Sequence, residues 1–225
     1  MEGRNKRRRK KEIFTRFLSL PMPEEGYRYF SRQGPLDQLC LVYALNHLIQ
    51  NGEKESEPIV TKEELDNIAR DLAPGTNIFT NPHKSWLGLG NYDCNVLMAY
   101  LQRCGLETRF FDRRLSLEEL QLGTEDPASP QKMYFAGLIL NTPSSNAILR
   151  TLGFQGRHWT TIRLVRKKTA RANWFWFDSR RRDPVLLGEE GVEGEKAVRN
   201  FLSRLVLGNR GEILIVSEKR VNTTD

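Results

Sequence analysis

Between Leu39 and Gln50 the apolar residues Leu41, Val42, Ala44, Leu45, Leu48 and Ile49 recur at the spacing of one helix face, with Gly34 and Pro35 just upstream. This pattern predicts a helix with Cys40 at its N-terminus. Thr61 followed by Glu64 has the capping-box spacing and predicts a second helix through Leu72, which Pro74 and Gly75 end. A third helix is expected from about Tyr92 to Cys104, closed by Gly105. The pattern then changes to short extended runs at Glu107 to Phe111, Tyr134 to Asn141, His158 to Val165, Asn173 to Phe177 and Ile213 to Val216. Ser116 and Glu119 cap a short helix between the first two, and Ala197 to Val206 forms another before the last. Helices lead and strands follow, which predicts an α+β fold with a single antiparallel sheet.

A chain of 225 residues holds one domain with a real core. Pro21 and Pro23 punctuate a linker, so residues 1–24 read as a flexible basic tail and residues 25–225 as the folded domain. The net charge of +7 is concentrated at the start of that tail: over residues 1–11, Arg4, Lys6, Arg7, Arg8, Arg9, Lys10 and Lys11 against Glu2 contribute +6. Such a block is solvated and self-repelling, and its functional reading is a site for an import receptor rather than nucleic-acid binding as the main task. No apolar run approaches the roughly 18 residues of a membrane span, and no secretory pattern opens the chain. Cys40, Cys94 and Cys104 are too few and too scattered for a disulfide framework, which points to an intracellular protein of the cytoplasm or nucleus. No CxxC or HxxxH pair suggests a metal site, and no cofactor is implied.

The position of Cys40 gives the charge pattern less weight than the chemistry. A helix N-terminus favours a thiolate, whereas Cys94 and Cys104 are expected inside a helix or at its C-terminal end, as small buried residues. A thiol nucleophile needs a histidine to take its proton. His47 lies seven residues further along the same helix, roughly 10 Å away at 1.5 Å per residue, and is out of reach. His83 falls in a polar loop. His158 opens a strand, and a hairpin centred near residue 168 would bring it opposite Asp178, a carboxylate able to orient the imidazole. An amide just before the nucleophile can supply an oxyanion donor beside the Cys40 backbone N–H: Gln33 is favoured, with Gln38 the less favoured alternative because it can simply cap the helix.

Leu39-Cys40 with Ala44-Leu45-Asn46, Asn81-Pro82-His83, Gly90-Asn91-Tyr92-Asp93, Gly137 to Asn141, His158-Trp159 and Asp178-Ser179 occur in an order that resembles the Josephin deubiquitinases, especially their short stand-alone members. The resemblance covers roughly residues 28–220. It implies a papain-like fold, ubiquitin or polyubiquitin conjugates as partners, and a triad of Cys40, His158 and Asp178 acting through a thioester, with no metal. Trp159, Trp176 and Leu41 become candidates for the wall of a narrow substrate channel. Two departures stand out: Pro35 occupies the place of the family glutamine, and Leu41 and Tyr43 follow Cys40 where the family has a small residue and a histidine. The competing reading is a ubiquitin-binding module of the same fold with little turnover.

Overall fold

The computed structural model describes residues 30–34, 38–49, 58–77, 79–85, 90–122, 133–143, 157–165, 171–206, 208 and 210–219. The basic tail, the expected domain start near residue 25, Pro35 and the hairpin turn near residue 168 lie outside these residues.

Among the described residues the α-helices α1 (Cys40–Ile49), α2 (Lys62–Leu72), α3 (Cys94–Arg103) and α4 (Val192–Leu205), with a short 3-10 turn at Leu117–Glu119, accompany strands β1 (Leu106–Phe110), β2 (Met133–Pro143), β3 (Arg157–Val165), β4 (Asn173–Phe177), β5 (Val185–Glu189) and β6 (Glu212–Lys219). The strands form one antiparallel sheet in the order β1-β6-β2-β3-β4-β5. The α+β class and the single sheet read from the sequence are therefore present. Among the described residues no helix is long and apolar enough to cross a membrane.

Alternation along the strands builds a core on each face of the sheet. Ile139, Trp159, Leu214 and Val216 meet α1, α2 and α3 on one side, while Leu138, Leu140, Ile162, Trp174, Trp176, Ile213 and Ile215 meet Val198 and Leu202 of α4 on the other. The helix α1 is buried along nearly its whole length, and it is seated on β3 by polar clamps as well as apolar contact. Thr161 donates its hydroxyl to the Ala44 carbonyl at 2.7 Å, and buried Arg163 donates to the carbonyls of Leu48 and Ile49, at the C-terminal end where a helix supplies no partner of its own. Asn46 ties the segment before α2 to α1, accepting from the Ile59 and Val60 N–H groups and donating to the Val60 carbonyl.

Both capping boxes expected from sequence are formed, at Thr61 and Glu64 and at Ser116 and Glu119. Three features differ from expectation. The strand β5 was not foreseen, because an edge strand with half-exposed residues carries no clean alternation. The helix α4 begins at Val192 rather than Ala197, and Gly194 is needed in its first turn, where a Cβ would stand 1.7 Å from the Glu189 carbonyl oxygen. The helix α3 begins at Cys94 with Asp93 as its N-cap, so Cys94, expected inside the helix, also occupies a helix start.

Candidate active site

Cys40 is the first residue of α1 and only 3% exposed, its thiol directed at the start of β3. Sγ lies 4.0 Å from the Arg157 carbonyl oxygen, and the Trp159 backbone N–H favours its ionised form, so the thiol rests against the backbone on either side of His158. Burial pushes the thiol pKa up; hydrogen bonds from Trp159, Leu41 and the Cys40 N–H, and the charge of Arg180, act the other way without overcoming it. The helix N-terminus expected to stabilise a thiolate is present, but desolvation acts against it more strongly.

His158 Nε2 stands 2.7 Å from Asp178 Oδ1. The pairing arises differently from the symmetric hairpin expected. Thr161 pairs with Phe177, and continuing that register sets Asp178 across from Thr160, diagonal to His158 rather than opposite it. Because the offset is an even number of residues, both side chains still emerge on the same face and meet at the open end of the two strands. The Asp178 carboxyl is opposed first by burial, but hydrogen bonding and charge from His158, with the N–H and charge of Arg180, hold it below the usual carboxylate range. His158 Nδ1 is buried and has no hydrogen bond among the described residues.

Gln33 is drawn to the same end of the sheet. Its backbone N–H donates to the Ser179 carbonyl at 2.7 Å, and the Ser179 hydroxyl donates to Gln33 Oε1 at 3.1 Å. With its carbonyl oxygen engaged there, the other end of the amide is a donor, as an oxyanion requires. Gln38 instead forms a parallel bridge to Gly90, its carbonyl accepting from Asn91 N–H at 2.8 Å. Ser179 is 1% exposed, and its role was hidden in the sequence because a serine after an aspartate reads as ordinary turn chemistry.

The three candidate channel residues are placed as core. Leu41 has no exposed surface. The Trp159 indole N–H donates to the Tyr92 carbonyl at 3.1 Å, and that of Trp176 to Thr160 Oγ1 at 3.0 Å beneath Phe201 of α4. His83 is not an exposed loop residue. Its Nδ1 lies 2.9 Å from Asp93 Oδ2, and Asn81 both accepts from the His83 N–H and donates to the Ala69 carbonyl, so this loop braces α2 against the cap of α3. At Cys94, burial and then the charges of Asp93 and Glu212 push the thiol pKa up, and no histidine contact to it is seen among the described residues. Among the described residues no group of three or more His, Cys, Asp or Glu side chains is placed to hold a metal ion.

The family model named Josephin matches residues 36–217. Josephin-2 of Mus musculus is 38% identical over 185 residues, covering 82% of this chain and 84% of the relative, and Josephin-2 of Homo sapiens is 37% identical with the same coverage. A Josephin-like protein of Drosophila melanogaster is 34% identical over 68% of this chain and 60% of its own length. A match across most of the chain, enclosing Cys40, His158 and Asp178, shows that the chain belongs to the Josephin family, a deubiquitinase-type domain.

Proposed function

We propose that this chain is a cysteine-type deubiquitinase that hydrolyses the isopeptide bond after the C-terminal glycine of ubiquitin. The observation that carries the reading is the 2.7 Å contact between His158 Nε2 and Asp178. It commits Nε2 to the carboxylate and leaves Nδ1, beside the strand segment against which the Cys40 thiol rests, to receive the thiol proton.

In this reading Cys40 Sγ attacks the glycine carbonyl carbon as its proton passes to His158 Nδ1. The Cys40 N–H and the Gln33 amide receive the oxyanion. Collapse breaks the C–N bond, His158 returns the proton to the departing lysine amine, and a thioester remains. Water then gives a proton to His158 and attacks the thioester, releasing ubiquitin and restoring the thiol. The raised thiol pKa fits base-assisted attack at the moment of reaction rather than a standing thiolate. Burial of Cys40 is also the observation behind a second reading, a ubiquitin-binding module with little turnover.

The test is reaction with ubiquitin carrying a C-terminal electrophile. A covalent adduct that Cys40→Ala eliminates is expected. No adduct from the wild-type chain, or one that survives that substitution, sinks the enzymatic reading, and binding of ubiquitin without an adduct selects the second.

A further inference from the structure

His47 takes no part in the steps above, yet it is completely buried. Its ring stacks on Phe30 with centroids 5.0 Å apart and planes 19° from parallel, and it lies 5.6 Å from the ring of Phe177 and 6.5 Å from that of Tyr43. A phenylalanine would fill such a slot without bringing polar atoms into it. What the imidazole adds is an acceptor: Ser31 donates its backbone N–H to His47 Nε2 at 3.3 Å.

That bond lies at one end of a short segment whose other end bears on the site. Two residues beyond Ser31, Gln33 is joined to Ser179 through both its backbone and its side chain. Residues 30–34 are thus fastened to α1 through His47 and to the turn after Asp178 through Ser179. Phe177, which immediately precedes Asp178, contacts the same imidazole ring. The helix that carries Cys40 therefore also fixes, through His47, the segment that carries Gln33. Nucleophile and amide donor are set by one rigid element, as a preorganised oxyanion site demands.

We propose that His47 is a positioning residue for acyl transfer: by accepting the Ser31 N–H it holds the segment that presents the Gln33 amide to the oxyanion. This rests on the deubiquitinase reading and adds to it a residue outside the triad. The role needs a neutral ring with Nε2 bare. Burial supplies that condition, lowering the His47 pKa to about 4 against the opposing charge of Asp178.

The test uses the full chain carrying Cys94→Ser and Cys104→Ser, so that Cys40 is the one thiol. Hydrolysis of a fluorogenic C-terminal amide of ubiquitin reports acyl transfer, and alkylation of Cys40 by iodoacetamide reports a reaction that forms no oxyanion. His47→Phe, which fills the slot but cannot accept, should lower kcat on the order of 10- to 100-fold with KM and the alkylation rate within about twofold. His47→Gln, which restores an acceptor, should recover most of kcat. A folded His47→Phe variant with wild-type kcat, or a kcat loss matched by an equal loss of alkylation, overturns the proposal. If His47→Phe does not fold, Ser31→Pro removes the donor from the other side and must give the same selective kcat loss; wild-type kcat there overturns the proposal too. An inactive parent chain would overturn the deubiquitinase reading and this inference with it, whereas an active parent with an indifferent His47→Phe overturns this inference alone.

Discussion

Asp178 Oδ1 lies 2.7 Å from His158 Nε2 and also accepts the backbone N–H of Arg180 at 2.9 Å. The second bond determines what an amide at position 178 would do. In Asp178→Asn, the Arg180 N–H selects the orientation with the amide oxygen at the Oδ1 position, so Nε2 still meets an acceptor and Nδ1 stays unprotonated. Asp178→Asn should therefore keep activity within about tenfold, while Asp178→Ala, which leaves the imidazole without a partner, loses on the order of 100-fold or more. Steady-state kcat/KM of both variants checks this. Equal losses would mean that the carboxylate's charge, rather than its orientation of the ring, is what matters.

Much of this site was legible in the sequence because its parts sit where local rules are strong. The periodicity of Leu41 to Ile49 places Cys40 at a helix start, and two adjacent extended runs bring His158 and Asp178 to the same end of a hairpin. The misses came where tertiary contact overrides local pattern. Hairpin register depends on the turn, so a facing pair became a diagonal one. Burial of Cys40 and of both tryptophans depends on how α1, α3 and α4 close over the sheet, which no local window contains. Ser179 and His47 act through partners distant in sequence, at Gln33 and Ser31, and carry no motif of their own.

The raised thiol pKa of Cys40 predicts the pH dependence of its labelling. Burial opposes the thiolate more strongly than the helix N-terminus and Arg180 favour it, so iodoacetamide should react with a midpoint above that of an ordinary cysteine, roughly 8.5. Arg180→Gln removes a favourable charge, shifting the midpoint further up and slowing labelling at pH 7, and added salt should shrink the difference because Arg180 is exposed. Alkylation followed by mass spectrometry from pH 6 to 10 reads this directly. A midpoint well below 7 would show a standing thiolate and contradict the base-assisted attack.

His47 should also leave a signature in stability. Its pKa of about 4 in the folded chain lies below the 6.5 of an unfolded histidine, so between these values the unfolded chain binds more protons. Its contribution is therefore fully present above pH 6.5, falls as pH drops, and is gone near pH 4. The total is on the order of 3 kcal/mol, from 1.36 kcal/mol per pKa unit. Urea midpoints measured from pH 4 to 7 should slope less steeply in His47→Gln than in the wild type. Parallel slopes would mean that the ring takes up a proton without leaving its slot.

The seating of α1 on the sheet makes its own prediction at Gly137. This residue has φ +154, and it lies at an irregularity in the pairing of β2 with β6. A Cβ there would stand 2.7 Å from the Ile162 carbonyl oxygen and 2.7 Å from Leu48 Cδ1. Leu48 can rotate, but the carbonyl belongs to β3 and cannot yield without disturbing the strand that carries His158. Gly137→Ala should thus cost about 1–3 kcal/mol through overpacking, with further strain from the backbone angle, and lower Tm by several degrees in a chain of this size. Gly75→Ala is the matching control: its φ is +85, but nothing lies within 4 Å of the added carbon, so only the backbone strain of about 1 kcal/mol is expected. Because Leu48 shares α1 with Cys40, Gly137→Ala should also slow turnover while the protein is still folded, and Gly75→Ala should not. Equal Tm losses in the two variants would place the cost in the backbone rather than in the contact between α1 and the sheet.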